Sequence, residues 1–343
     1  MSALAPATLG AARLSPSDYV MPDAYARECR DLFQRQWVPV CRSEDVAEPG
    51  DLLPAAIGDA QILIARDAGG RLAALANVCR HRAMLLVDSK TTGRLIRCPY
   101  HLWAYGLDGS LAAAPFMGDV STEGCDLPRY RVTEWGGFVL VNLSGDAPPF
   151  ADLVAPLGDR LQPERLAGLR IGFRVLFQHD WNWKVMLENF GESYHHIGTH
   201  SETLQRLWPG AETDASASTG HWIDLRHPTH PEAGALEVYV VFPLLLLALT
   251  PASGGAAWYR MSPLGPERIE LEIIGLYPPQ IAADAARMAR SKAEIIAIHQ
   301  EDMAVCARVQ AGLRSPDAVL GPLSPLEAGI ARFRRWVADA TDA

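Results

Sequence analysis

The chain has 343 residues, 49% of them hydrophobic and 21% charged, which is typical of a globular protein with about two domains. Its formal net charge of −9 argues against nucleic acid or an anionic membrane as a partner, because both favour a basic surface. Six cysteines are too few for a disulfide scaffold, and the first residues lack the basic start and apolar run of a secretory signal. We therefore expect a cytoplasmic protein.

The first half of the chain predicts a short helix followed by an all-β unit. Residues 1–20 predict a loose leader, and from Pro22 to about Gln36 apolar residues recur every three to four positions, as in an amphipathic helix. From Trp37 to Leu143, short apolar runs alternate with glycine-containing turns, which predicts strands. The stretch Ser144–Pro149 is rich in turn residues and predicts a domain boundary.

The second half predicts a mixture of strands and helices. In chain order we expect a strand near Leu169–His179, a helix from about Trp183, strands near Leu236–Thr250, Ala256–Met261 and Ile269–Tyr277, and a long helix from Gln280 to Leu313. The fold class is therefore α+β, with three segments: residues 1–36 as a leader and a helix that packs on the second domain, residues 37–147 as an all-β domain, and residues 148–343 as the second domain.

The all-β unit contains two Cys/His pairs, Cys79-Arg-His81 and Cys98-Pro-Tyr-His101. Two thiolates and two imidazoles suit either zinc or an iron–sulfur cluster. Zinc sites usually take like ligands in like pairs, whereas each pair here mixes cysteine with histidine. In a Rieske [2Fe–2S] centre, two cysteines hold one iron and two histidines hold the other. The spacing therefore predicts a Rieske cluster.

A second group of candidate ligands follows Trp183, on a helix that we expect to continue to His200. His195, His196 and His200 lie within six residues, downstream of two carboxylates. Two histidines and one carboxylate are the usual ligands of non-haem Fe(II) that activates O2. In a continuous helix His196 and His200 share a face, whereas His195 and His200 do not. A helix that ends or distorts at Gly198 would allow the other pairing, so local spacing leaves the choice between His195 and His196 open.

The long C-terminal helix offers the carboxylate. Asp302 falls in an apolar stripe with Met288, Ile295 and Val309, whereas Glu301 falls on a polar face. A carboxylate that faces the core is costly unless it is paired or bound to a metal. Asp302 is therefore the predicted third ligand, and a partner arginine is the alternative explanation.

These residues together resemble the terminal oxygenase (α) component of Rieske non-haem iron oxygenases, the ring-hydroxylating oxygenase family. The resemblance extends from about Tyr19 to Val337. Its motifs are Asn77–Arg82, Cys98–His101 with Trp103, Trp135–Asn142, Asn182–Lys184, Glu188-Asn189, and the spacing of Glu192, His195 and His200.

The resemblance implies an N-terminal Rieske domain and a C-terminal helix-grip catalytic domain, an antiparallel sheet flanked by helices. It favours His195 over His196, so that His195, His200 and Asp302 would hold the mononuclear Fe(II). It also implies a head-to-tail homotrimer, in which Glu192 would link His195 to a cluster histidine of the neighbouring subunit and carry electrons between subunits. Asn189, beside the ligand segment, is a candidate for tuning access to the iron.

The function implied is a Rieske-type oxygenase, a dioxygenase or monooxygenase that uses O2 to hydroxylate a small organic substrate. No dinucleotide fingerprint or plant-type ferredoxin spacing is present, so NAD(P)H and flavin are expected on a separate reductase, with or without a ferredoxin. An aromatic substrate is the first expectation. Glu192 replaces the aspartate of many aromatic-ring members, and family members that oxidise carnitine and related quaternary ammonium compounds also have Glu there. The alternative is therefore oxidative N- or O-demethylation, including quaternary ammonium substrates, which Glu192 does not by itself establish. An electron-transfer Rieske protein without catalysis is the alternative of another class.

Overall fold

The computed structural model describes residues 14–341, which divide into two compact units. One unit contains residues 33–168, and the other contains residues 14–32 together with residues 169–341. Most of the predicted leader lies outside the described residues. None of the helices between residues 14 and 341 combines the length and apolar character needed to cross a membrane.

The N-terminal segment packs on the unit formed by the C-terminal half. Helix α1 (Pro22–Arg27) continues into a π-helical turn, Glu28–Phe33, and is shorter than predicted. The buried carboxylate of Glu28 accepts hydrogen bonds from Lys184 Nζ and, at 2.7 Å, from Trp183 Nε1. A buried charge is stable only with such partners, so this ion pair ties the segment to the helix that precedes the histidines.

The first unit is built from antiparallel strands. They are β1 (Val38–Arg42), β2 (Asp51–Ile57), β3 (Ala60–Arg66), β4 (Leu72–Ala76), β5 (Thr91–Thr92), β6 (Ile96–Arg97), β7 (Ala104–Tyr105), β8 (Leu111–Ala113), β9 (Arg129–Trp135) and β10 (Phe138–Asn142). One sheet has seven strands in the order β1-β10-β9-β4-β3-β2-β5, and β6, β7 and β8 form a three-stranded sheet. The apolar run of β10 lies between β1 and β9 and is fully buried, as expected for a central strand.

Three short helices complete this unit: α2 (Phe150–Val154), α3 (Gly158–Leu161) and α4 (Pro163–Gly168). A domain boundary at residue 148 would place these helices in the second domain, whereas by their contacts they group with residues 33–168. The ring of Phe150 meets Trp135 edge to face at 5.3 Å. The carbonyl of Leu166 accepts a hydrogen bond from the buried Arg42 at 3.0 Å. These contacts hold α2 on β9 and α4 on β1.

The second unit surrounds a six-stranded antiparallel sheet in the order β11-β16-β15-β14-β13-β12. The strands are β11 (Arg170–His179), β12 (Trp222–Arg226), β13 (Glu237–Val241), β14 (Leu245–Thr250), β15 (Gly255–Gly265) and β16 (Arg268–Tyr277). The helices are α5 (Trp183–Phe190), α6 (Leu204–Leu207), α7 (Pro279–Ala282), α8 (Ala285–Leu313) and α9 (Ala328–Thr341). Helix α8 packs against β11 and α5, which brings the two predicted ligand segments together.

Two boundaries differ from the sequence prediction for identifiable reasons. The expected strand Leu236–Thr250 is two strands, because Pro243 lacks the amide that a continuous ladder requires. The long helix begins at Ala285 instead of Gln280, because the side chain of Asp284 accepts a hydrogen bond from the amide of Arg287 at 3.0 Å and caps it.

Candidate cluster site and active site

Two loops of the first unit share one backbone pattern. The carbonyl of Cys79 accepts a hydrogen bond from the amide of Ala83 at 3.0 Å. In the same way the carbonyl of Cys98 accepts one from the amide of Leu102 at 3.1 Å. Ala83 and Leu102 have φ angles of 54° and 62°, a region that residues other than glycine rarely adopt. Two equivalent tight turns therefore present the two Cys/His pairs.

The side chains of these pairs differ in exposure. Cys79 and Cys98 are buried, whereas His81 is exposed and His101 is half-buried. The two imidazole rings meet edge to face with centroids 4.7 Å apart, and Trp103 stacks on His81. Two thiols on the inside and two adjacent imidazoles on the outside fit a Rieske [2Fe–2S] cluster, which has cysteines on one iron and histidines on the other.

Tyr105 contacts the buried side of this site. Its hydroxyl accepts a hydrogen bond from the amide of Arg80 at 3.1 Å and lies 3.2 Å from Sγ of Cys79. Burial, and then the hydrogen bond to Cys79, raises the pKa of Tyr105, so the hydroxyl stays protonated and donates to the sulfur. Such hydrogen bonds to cluster sulfurs set the reduction potential.

The predicted continuous helix through His200 is wrong. Helix α5 ends at Phe190, and a Cβ on Gly191 would lie 2.8 Å from the side chain of Ile223. The chain leaves the helix at this glycine and forms a 3₁₀ turn, Tyr194–Ile197. Glu192 caps that turn by accepting a hydrogen bond from the amide of His195 at 3.0 Å. The three histidines therefore do not follow helical spacing.

His195, His200 and Asp302 converge on one point. One ligand atom from each lies within 4.8 Å of the other two. Nε2 of His200 lies 2.9 Å from Oδ1 of Asp302, and Nε2 of His195 lies 3.6 Å from the same oxygen. His196 is turned away, since its Nδ1–H donates to the carbonyl of Trp208 at 3.0 Å. This geometry favours His195 over His196 as a ligand.

Two further carboxylates orient these histidines. Nδ1–H of His195 donates to Glu192 at 2.7 Å, and Nδ1–H of His200 donates to Glu301 at 2.5 Å. Each bond leaves Nε2 directed at Asp302, the arrangement that metal-binding histidines usually adopt. Asn189 donates to Asp302 at 3.2 Å. The donor set fits a two-histidine, one-carboxylate iron site.

The electrostatics of this group suit a bound cation. Burial opposes protonation of His200, but hydrogen bonds to Asp302 and Glu301 raise its pKa overall. Burial disfavours the ionised form of Asp302, but the hydrogen bond and charge of His200 lower the pKa of that carboxyl. The site therefore pairs an ionised carboxylate with a positive charge, and a metal ion competes with the imidazole proton for this position.

The three side chains line a cavity of about 500 Å³. Phe190 and Tyr259 also line it, with ring centroids 4.7 Å apart, and the charge of Asp302 adds to burial in raising the pKa of Tyr259. His196 and His227 stack on each other at 5.5 Å in another part of the wall. Burial lowers the pKa of His196 to about 3 and that of His227 to about 4, so both rings are neutral.

Two family models match the chain. Residues 36–130 match the Rieske [2Fe-2S] domain, and residues 168–233 and 205–343 match the ring hydroxylating alpha subunit (catalytic domain). The chain belongs to the Rieske ring-hydroxylating oxygenase family. Its cofactors are accordingly a [2Fe–2S] cluster and a mononuclear iron. The predicted α+β class, a β-rich Rieske domain followed by a catalytic domain of sheet and helices, is confirmed.

Curated relatives of this oxygenase α subunit are named for quaternary ammonium substrates. The glycine betaine monooxygenase oxygenase subunit of Chromohalobacter salexigens is 34% identical over 213 residues, 60% of this chain and 47% of that protein. The chain thus spans about half the length of that relative. Choline monooxygenase of Beta vulgaris is 26% identical over 340 residues, 93% of this chain and 75% of that protein.

Solved structures show the same fold. The quaternary ammonium Rieske monooxygenase CntA, in complex with L-carnitine, superposes with a TM-score of 0.83 at 23% identity, over 95% of this chain and 94% of that chain. Naphthalene 1,2-dioxygenase from Rhodococcus superposes with a TM-score of 0.76 at 20% identity, over 95% and 93%. At these identities the likeness concerns the fold alone.

Sequence reasoning missed two side chains at this site. Glu301 was placed on a polar outer face, yet it holds Nδ1 of His200 and also accepts a hydrogen bond from Thr203 at 2.7 Å. His227 directly follows β12 in a proline-rich stretch, where the local sequence favours a loop residue. It is buried, and its Nε2 accepts a hydrogen bond from Ser193 at 2.8 Å. Nothing in the sequence around Pro228 indicates that His227 is buried. Glu301, in contrast, directly precedes Asp302, and this adjacency to a predicted ligand was an available signal that Glu301 belongs to the site.

Proposed function

We propose that this protein is the terminal oxygenase of a Rieske monooxygenase system. In this proposal the cluster is held by Cys79, His81, Cys98 and His101, and the mononuclear iron by His195, His200 and Asp302. The observation that carries it is the convergence of two imidazole nitrogens and one carboxylate oxygen within 4.8 Å, at the wall of a cavity of about 500 Å³.

When bound, the iron supplies O2 activation and the cluster supplies electrons. The chain's own residues prepare the site for that chemistry. Glu192 and Glu301 fix the tautomers of the ligand histidines, and Asn189 holds the carboxylate of Asp302. Phe190 and Tyr259 give the cavity an apolar wall, which displaces water from the place where the reacting carbon would lie.

We infer that the substrate is a quaternary ammonium compound and that one of its N-methyl groups is oxidised. The relatives named for glycine betaine, choline and carnitine support this alternative over the aromatic substrate and the dioxygenase chemistry expected first. The paired rings of Phe190 and Tyr259 offer π faces to a cation inside the cavity.

The proposal includes a separate reductase that carries NAD(P)H and flavin, with or without a ferredoxin. It also includes a homotrimer, in which Glu192 links His195 to His81 or His101 of the neighbouring subunit. The assignment of residues 37–147 to the Rieske domain and 148–343 to the catalytic domain stays a prediction, as does the cytoplasmic location.

Iron and acid-labile sulfide on anaerobically purified protein test the cofactor assignment. We expect about three irons and two sulfides per chain, and about two irons with an unchanged visible spectrum in His200→Ala. Wild-type protein that keeps only two irons after Fe(II) is added back would instead be the electron carrier without catalysis.

Turnover with a reductase and NADH then tests the reaction. N-demethylation of a quaternary ammonium ion consumes one O2, two electrons and two protons, and it releases formaldehyde, water and the protonated tertiary amine. We expect formaldehyde in equal amount to the O2 consumed with glycine betaine, and no diol from naphthalene. The reverse result would restore the aromatic substrate.

A further inference from the structure

The cavity continues far beyond the iron site along helix α8. The residues of α8 that line it recur every three to four positions and so form one face of the helix: Arg287, Arg290, Ser291, Glu294, Ile295, Ile298 and Asp302. At 1.5 Å per residue, Arg290 lies about 18 Å and Arg287 about 22 Å along the axis from Asp302. The cavity is therefore a channel rather than a compact pocket.

The middle of this channel is mainly apolar. Ile295 and Ile298 face it from α8, and Leu236 and Val238 face it from the sheet side. Tyr277 and Ser291 also line it, and burial raises the pKa of the Tyr277 hydroxyl, so both groups are neutral. An extended apolar body fits such a passage better than a small polar molecule does.

The outer end carries a net positive charge, because Arg287 and Arg290 outnumber Glu294 among the charged residues of α8 that line it there. Within residues 14–341, the guanidinium groups of Arg287 and Arg290 form no ion pair. Arg287 lies in the first turn of α8, where a cation opposes the helix dipole, so helix stability does not explain it. Asp284 accepts a hydrogen bond from the backbone amide of Arg287 as the helix cap, and Glu294 is exposed one turn further in.

We propose that the substrate carries a carboxylate, bound by Arg287 and Arg290, at the far end of an apolar chain from the methyl group that is oxidised. The inference rests on the proposed function and deepens it by naming the substrate class: long-chain trimethylammonio carboxylates. Guanidinium groups bind carboxylates through two parallel hydrogen bonds. Long side chains on a helix lean toward its N-terminus, which directs Arg287 and Arg290 away from Asp302. The reach of their side chains therefore does not shorten the distance between the two ends of the channel. Glycine betaine is too short to reach both ends.

Binding to the iron-loaded protein under anaerobic conditions tests this without turnover. The probes are trimethylammonio carboxylates that lengthen one methylene at a time from glycine betaine, measured by calorimetry. We expect the Kd to fall about fourfold for each added methylene until the carboxylate reaches the arginines. At that length the carboxylate should bind about tenfold more tightly than its neutral primary amide.

The double variant Arg287→Gln/Arg290→Gln should lose the tenfold preference for the carboxylate over the amide. Arg308→Gln, an exposed position on α8 outside the channel, removes one arginine from the same helix and should keep the preference. Circular dichroism of each variant checks that the fold is intact. An unchanged preference in the double variant, or a Kd that does not depend on chain length, would overturn the inference.

The same series separates the two proposals. Suppose that glycine betaine yields formaldehyde, and that the Kd depends on neither the chain length of the probe nor its carboxylate charge. The proposed function would then stand, and the proposal of a long-chain substrate would be rejected. Tight, arginine-dependent binding of the long carboxylates with no formaldehyde from any of them would support the channel and remove the proposed N-demethylation.

Discussion

The candidate ligands of the cluster lie between Cys79 and His101, on two turns closed by short-range backbone hydrogen bonds. Those of the iron combine His195 and His200 with Asp302, which follows His200 by 102 residues. The first site is thus built largely by local chain geometry. The second exists only because α8 packs against α5 and β11. This difference predicts that the two sites respond independently to substitution and that the iron site depends more on supporting residues.

The largest effect is expected for Asp302→Ala. Removal of the only protein oxygen in the triad leaves two imidazoles, so the mononuclear iron is lost and activity falls at least a thousandfold, on the order of what loss of a metal ligand costs. Iron analysis should fall from about three to about two per chain, while the visible spectrum of the cluster stays unchanged. Glu202→Gln, at an exposed carboxylate near His200, is the matched control. A changed cluster spectrum in Asp302→Ala would show that the two sites are not independent.

Glu301→Gln should act on the iron site through His200. The amide can accept the Nδ1–H hydrogen bond but lacks the negative charge that makes the imidazole a stronger ligand. We expect Fe(II) affinity to fall about 10- to 100-fold, as measured by competition with a chelator. Thr203→Val removes the hydrogen bond to Glu301 and keeps its charge, so it should have a smaller effect. Equal Fe(II) affinities in the wild type and in Glu301→Gln would show that the charge of Glu301 does not strengthen His200 as a ligand, and would leave Glu301 a merely structural role.

The corresponding substitution at the cluster is Tyr105→Phe. It removes the hydroxyl that donates to Sγ of Cys79 while the ring stays in the core. A hydrogen bond to sulfur stabilises the reduced cluster, so its loss should lower the reduction potential by about 40 mV, for a bond worth about 1 kcal/mol. Protein-film voltammetry measures the shift. Tyr100→Phe, on the exposed part of the neighbouring loop, serves as the comparison variant, and a potential that moves equally in both would contradict the assignment.

The last prediction concerns stability at the end of α5 and no direct contact with either metal site. Gly191→Ala places a Cβ 2.8 Å from the side chain of Ile223, so it should destabilise the protein by about 1–3 kcal/mol and lower the melting temperature. In Gly198→Ala the nearest atom, the carbonyl oxygen of His195, is 4.0 Å away, and stability should change little. If Gly198→Ala were the more destabilising of the two, the close packing of Ile223 against Gly191 would not be the feature that requires a glycine in this segment.

Local sequence was sufficient for the features that depend on neighbouring residues. The mixed Cys/His spacing indicated a Rieske centre, because two tight turns of fixed length are enough to present the four side chains. The strands expected near Leu169–His179 and Ile269–Tyr277 differ from the observed β11 and β16 by one residue, since alternation and turn residues act over short distances. The apolar stripe of α8 identified Asp302, because a carboxylate in such a stripe requires a partner.

Long-range packing was needed for the rest. The choice between His195 and His196 depended on the end of α5 at Phe190, where Gly191 leaves the helical conformation and packs closely against Ile223. The contact between Glu301 and His200 depends on where α8 crosses the histidine segment, and no spacing along the chain encodes that crossing. Helix and strand periodicity report which face of an element is apolar. They do not report which residue of another element lies opposite, because that is set by the packing of the whole unit.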